Sequence, residues 1–218
     1  MFWNFMYKAG RVLSPILIHY LAANVIMMIW VSLRLQTDAA FLTSITAVVL
    51  LPVFYSWYQK DRQRESCEKK QLRLWECVGI AAFGIFCNFL IGTLAGAASE
   101  ALQLNNEAQE MLYRSSLLVQ LIGIGVIVPF MEEVLFRGLV YKRLKEYTGN
   151  DWTAIFAAAA LFAVYHGNLT QMLFAFPMAL VLIILYRKWG TLRAPVIFHG
   201  AVNISSILLT AYTQGTAM

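Results

Sequence analysis

Apolar residues in this chain come in long unbroken runs, with the polar positions gathered between them. Seven runs are predicted as helices: about Val12–Leu33, Ala39–Tyr58, Leu74–Ala98, Ser115–Phe136, Trp152–His166, Gln171–Tyr186 and Pro195–Tyr212. The fourth is expected to continue as a helix to Tyr147. A helix needs about 20 apolar residues to cross the roughly 30 Å hydrocarbon core. The fifth run has about 15 residues, or about 22 Å at ~1.5 Å each, and the sixth is comparably short. The turn between them, Gly167-Asn168-Leu169-Thr170, is then expected within the membrane. Such backbone is tolerated there only where protein buries it or a cavity wets it. The first run is too long for a signal-peptide core and has no clear cleavage site, so it is expected to be an anchor. No hydrophilic stretch is long enough for a separate domain. The fold class expected is all-α: one polytopic membrane bundle of about seven helices over residues 1–218, with N-terminal spans in 1–110 and a helical core in 115–212.

Composition supports this. The chain of 218 residues is 60% apolar and 13% charged, with a mean hydropathy of +0.62. Soluble domains average about 45–50% apolar and about 25% charged. A water-exposed surface of this size cannot be coated with so few charges, and a disordered chain would need low hydrophobicity. The three cysteines, Cys67, Cys77 and Cys87, have neither metal-site spacing nor a disulfide framework and are expected to be packing residues or free thiols.

The net charge of +5 would suggest nucleic acid in a soluble protein. In a membrane protein the placement of Lys and Arg carries the information. Of the 17 basic residues, only Arg34 and Arg114 fall on one side of a seven-span bundle. The other side holds Lys8 and Arg11, the second loop with Lys60, Arg62, Arg64, Lys69, Lys70 and Arg73, and the groups around Arg137, Lys142, Arg143, Lys145 and Arg187, Lys188, Arg193. The positive-inside rule then places the N-terminus in the cytoplasm and the C-terminus outside, and no nucleic-acid partner is expected. Phe2, Trp3, Phe5 and Tyr7 suit an interfacial anchor, and Gly92 with Gly96 has the small-xxx-small spacing of helix contacts.

Ionisable groups at membrane depth cost roughly 2.5–3.5 kcal/mol each on insertion scales and are functional candidates by default. All three Asp lie in loops or at span ends. Glu132 and Glu133 lie inside the fourth span. Glu133 and Arg137 are four apart, share a helix face and are expected to pair. Glu132 lies about 100° round the helix, free to face a cavity as a general base, although two structural glutamates account equally well for the pair alone. Phe162 shares a face with His166, and His199 with Asn203. The second pair offers two donors to one region, as an oxyanion clamp requires, or a histidine metal ligand with an asparagine helper. His199 looks shallower than His166, a mismatch that calls for a dipping connection or tilted helices. His19, with no comparable partner on its own helix, is expected to be a packing or interfacial residue.

The motifs Glu132-Glu133-Val-Leu-Phe-Arg137, Phe162-Ala-Val-Tyr-His166 and His199-Gly-Ala-Val-Asn203, in that order on apolar spans, resemble the EExxxR, FxxxH and HxxxN motifs of the CPBP (CAAX protease and bacteriocin-processing, or Abi) family of intramembrane proteases. The resemblance covers about Leu117–Ser206. It implies peptide-bond hydrolysis in the membrane, with 115–212 as the catalytic core. By that likeness Glu132 activates water, His166 helps hold it, His199 and Asn203 stabilise the oxyanion, and Glu133, Arg137 and Phe162 support the site. The preferred reading requires no cofactor. The alternative is zinc on Glu132, His166 and His199. The partners implied are the lipid bilayer and a membrane-associated protein or peptide, such as a CAAX tail, a pheromone or a bacteriocin precursor, in a bacterial plasma membrane. The sequence does not fix the oligomeric state.

Other classes fit the same residues less well. The HExxH string of zinc proteases does not occur, and no buried Asp pair exists for an aspartyl protease. Ser205 and Ser206 lack the glycine-flanked setting of a rhomboid-type nucleophile. A silent immunity or adaptor protein and a proton-coupled transporter are the non-proteolytic alternatives.

Overall fold

Long apolar runs in lipid have no water to satisfy their backbone, so they close it within helices. The computed structural model describes residues 2–62 and 71–215, all helical apart from the connections. Cys67, Arg64, Lys69 and Lys70 lie outside these described residues. Cys77 and Cys87 are free thiols. The elements are α1 (Phe2–Ser32), α2 (Ala39–Arg62), α3 (Leu74–Ala101), a short α4 (Glu107–Tyr113), α5 (Leu117–Thr148), α6 (Asp151–Tyr165), α7 (Leu169–Trp189) and α8 (Arg193–Gly215). Among the described residues, six of these are long and apolar enough to cross a membrane, and α6 is a shorter apolar helix.

Two boundaries differ from the sequence expectation. α1 begins at Phe2, well before Val12. The sixth run is not short: α7 has 21 residues, or about 31 Å at ~1.5 Å each. The polar residues at both of its ends had hidden its length. The Asn168 side chain caps its start through the Gln171 N–H at 3.2 Å, and Gly190, at φ 63°, ends it in the left-handed conformation. α6 remains short, capped at its start by Asn150 on the Thr153 N–H at 3.0 Å.

α5 is the axis of the bundle. Met131, Val134, Leu135, Leu139 and Val140 on it are fully buried. α2 packs along it, α8 crosses it, and α3 lies against α8 while α6 lies against α7. Outward-facing Leu17, Phe86 and Val126 remain exposed, the surface a lipid solvent would cover. Trp3, Phe5 and Tyr7 are exposed at the start of α1. One close helix approach is at Gly84, where an added Cβ would lie 2.8 Å from the Phe198 carbonyl oxygen. Gly96 has open space around it and Gly92 only ordinary contact, so the predicted small-residue contact is not formed there.

α5 is also irregular in a way the apolar pattern does not reveal. Residues Gln120–Ile127 and Val134–Tyr141 are π-helical, and Val128–Glu133 between them is a short α-helical stretch. π-Helical insertions are rare and concentrate at functional sites. Both glutamates sit at the end of that stretch.

Candidate active site

The phase of α5 separates the two glutamates. Glu133 is fully buried, and its Oε1 accepts from Arg137 Nη1 at 3.0 Å on the same helix and from His199 Nδ1 at 2.8 Å across from α8. Arg137 is buried too, with its guanidinium 4.5 Å from the Phe162 ring centroid. Its Nη2 reaches the Ala179 carbonyl at 3.5 Å. Glu133 Oε2 and Arg137 Nε have no hydrogen-bond partner among the described residues. Glu132 points elsewhere, lining a cavity of about 740 Å³ together with His166, His199, Asn203 and Phe162. The structure thus gathers five of the seven motif residues on one cavity wall, with Glu133 and Arg137 buried behind them.

His199 bridges the pair. Its Nε2 is 3.7 Å from Glu132 Oε2 while Nδ1 holds Glu133. An ionised carboxylate only accepts, so Nδ1 carries a proton. Leu192 and Ala194, where α8 begins, are buried. His199 lies six residues after Arg193, and its Nε2 is within 3.7 Å of Glu132 Oε2.

His166 caps α6, and its Nδ1 lies 2.8 Å from the Phe162 carbonyl oxygen. A carbonyl likewise only accepts, so Nδ1 donates and Nε2 of the neutral ring is an acceptor. The Phe162 ring packs edge-on to His166 at 4.9 Å and to Phe136 at 4.9 Å, with His199 at 6.0 Å. One aromatic ring thus spaces both histidines and faces the Arg137 cation.

Asn203 has a local reason to be where it is. In the first π-helical segment the Val128 N–H bonds back to the Gly123 oxygen. The next donor in that register, for the Ile124 oxygen, would be residue 129, a proline with no N–H. Asn203 Nδ2 fills this vacancy, donating to Ile124 O at 2.8 Å. One hydrogen of the amide is thereby committed, and a second is left on the cavity side.

The residues of the alternative zinc set, Glu132, His166 and His199, all line this cavity. Among the described residues no three or more His, Cys, Asp or Glu are placed to hold a metal ion. Both histidines direct Nδ1 at protein acceptors and keep Nε2 as the free ring nitrogen, an orientation that metal-ligating histidines also take.

Sequence reasoning missed several groups of the same cavity. His19 of α1 is buried and lines it, with Tyr165 Oη 3.0 Å from His19 Nε2. Its position in an apolar span was the available signal, and its partner lies across the fold. Asn88 of α3 and Ser206 of α8 also line the cavity.

Residues 114–205 match the family model described as Rce1-like, type II CAAX prenyl endopeptidase Rce1-like. No curated protein and no solved structure matches. The matched segment contains all seven motif residues and excludes His19, Asn88 and Ser206. The match is consistent with a CPBP-family intramembrane protease, and it supports a CAAX-type intramembrane endopeptidase in general terms. Together with the spanning helices, it supports an integral, multi-pass membrane protein.

Proposed function

We propose that this chain hydrolyses a peptide bond of a membrane-associated protein or peptide, with Glu132 as the general base. The observation that carries this reading is the unequal treatment of two adjacent carboxylates. Glu133 is buried and bound by Arg137 and His199, whereas Glu132 faces the cavity.

In this mechanism Glu132 takes a proton from a water that His166 Nε2 helps to hold by accepting its other hydrogen. The oxygen attacks the scissile carbonyl carbon, and the carbonyl oxygen becomes an oxyanion. The remaining Asn203 Nδ2 hydrogen and Nε2–H of the His199 imidazolium face that oxygen, and preorganised donors of this kind are worth about 2.7–4 kcal/mol each. Glu133 orients His199 through Nδ1 and supplies the negative charge opposite the imidazolium. Arg137 in turn holds Glu133. Glu132 then passes its proton to the departing amine, the C–N bond breaks, and the base is regenerated. Every proton moved is accounted for by water, Glu132 and the two products.

The family description points to CAAX-type substrates, carried on a membrane-anchored tail. The distribution of basic residues supports a cytoplasmic N-terminus and an outside C-terminus. Comparison of membrane and released peptides between cells carrying the native chain and cells carrying Glu132→Ala tests the proposal. A precursor that accumulates uncut only in the variant supports it, and identical peptide profiles contradict it.

A further inference from the structure

Seven residues beyond His199 along α8, the same cavity wall carries a second polar group that the mechanism does not use. Asn88 Nδ2, from α3, donates to Ser205 Oγ at 2.9 Å. Ser205 Oγ donates its own hydrogen to the Val202 carbonyl at 2.9 Å. A hydroxyl whose hydrogen is committed can only accept, and this fixes which end of the Asn88 amide faces Ser205. Asn88 Oδ1 therefore faces Ser206 Oγ, 3.1 Å away, and Ser206 is the donor of that bond. Two valences are left over. Asn88 retains one N–H, and Ser206 retains its oxygen lone pairs. Both residues line the cavity, and Ser205 does not.

We infer that Asn88 and Ser206 form a peptide-backbone subsite, in which Asn88 donates to a substrate carbonyl and Ser206 accepts from a substrate N–H. The inference rests on the endopeptidase reading above. One donor beside one acceptor is the complement of a peptide group, and it is a poor match to a carboxylate, which would meet the Ser206 oxygen. The location fits as well. His199, Asn203 and Ser206 recur at helical spacing and all line the cavity. His199 to Ser206 is about 10 Å along the axis at ~1.5 Å per residue. An extended peptide covers that distance in about three residues at ~3.3 Å each. The subsite thus holds the substrate backbone about three residues from the bond to be cut and fixes the strand along α8. Interhelical polar contacts in membranes often serve only as glue, and the Asn88–Ser205 bond alone does that. Ser206 also joins α8 to α3 through its bond to Asn88 Oδ1, but its oxygen lone pairs and the spare Asn88 N–H are not used by that contact, and both residues line the cavity.

The test is equilibrium binding of a synthetic CAAX-type peptide to the full chain in detergent, in the Glu132→Ala background so that no turnover intervenes. A series of peptides replaces one backbone N–H at a time with an ester oxygen, at each of four positions on either side of the expected cut. One ester, about three residues from the cut, is expected to weaken binding about tenfold. In the Glu132→Ala/Ser206→Ala double variant the same ester is expected to bind as well as its amide parent. Ser206→Ala also removes the donor to Asn88 Oδ1, so the double variant is expected to melt somewhat lower, and the ester-to-amide ratio is therefore read within each protein, well below both transitions. Equal ester-to-amide ratios in both backgrounds, or no binding of any peptide, overturn the inference. Cleavage by Glu132→Ala contradicts the mechanism proposed above, and the ester series is read independently of that result.

Discussion

His199 is held by Glu133: its Nδ1 lies 2.8 Å from Glu133 Oε1, and only its other nitrogen is directed at Glu132. The EExxxR motif therefore does two jobs with one residue type. Its second glutamate aims the histidine of the HxxxN motif, and its first is left to the cavity.

Glu133→Gln tests the aiming. The amide keeps the size of the side chain but gives up the charge that Arg137 and His199 share. Activity is expected to fall about 100-fold or more, with KM little changed, because the group lost acts through His199. Glu133→Ala leaves Arg137 buried without its partner and is expected to cost about 3–5 kcal/mol of stability. The Glu133→Gln/Arg137→Met pair is expected to melt higher than Glu133→Ala, since replacing a buried ion pair costs less than breaking it. Thermal melts and kcat of the three variants check this.

Asn203→Ala removes two things at once. The Ile124 carbonyl loses its donor, expected to cost about 1–3 kcal/mol, and the cavity loses an oxyanion donor, expected to cost about 100- to 1000-fold in kcat. The two parts separate with Pro129→Ala, which restores an N–H for the Ile124 oxygen. In the Pro129→Ala/Asn203→Ala background the stability loss is expected to shrink while the kcat loss persists. Recovery of kcat along with stability would make Asn203 purely a helix cap.

Gly84→Ala is expected to be harmful at a distance. Its Cβ would meet the Phe198 backbone oxygen at 2.8 Å, one residue before His199. Backbone cannot step aside as a flexible side chain can, so α3 and α8 must separate, at about 1–3 kcal/mol, and His199 shifts with α8. Gly79→Ala on the same helix has nothing within 4 Å and serves as the neutral comparison. Melting temperature and activity of the two variants decide it.

Much of this was legible in the sequence, for identifiable reasons. Apolar runs of spanning length leave few options for backbone in lipid, so the bundle and the continuous fourth helix followed from the pattern. The pairing of Glu133 with Arg137, and the different direction of Glu132, followed from the 100° step of a helix. The sequence concealed whatever depends on contact between distant elements. His19 and Asn88 carry no motif on their own helices, and their partners Tyr165, Ser205 and Ser206 lie more than 100 positions away. The π-helical segments of α5 leave no periodic signature in a run that is apolar on every side. Pro129 was the one clue, and its meaning for Asn203 appears only when Ile124 is seen beside it. α7 is longer than the apolar run Gln171–Tyr186 because Leu169 and Thr170 join it at the start and Arg187, Lys188 and Trp189 at the end, and polar residues there leave no apolar signal.

The most direct measurement is cleavage of a CAAX-type peptide by the purified full chain in liposomes, compared between the native protein and Glu132→Ala. The account predicts that the native protein cuts the peptide and that the variant, equally inserted and with an unchanged melting temperature, cuts it at least 1000-fold more slowly, or about 4 kcal/mol in the barrier. Cleavage by Glu132→Ala at the native rate would contradict it.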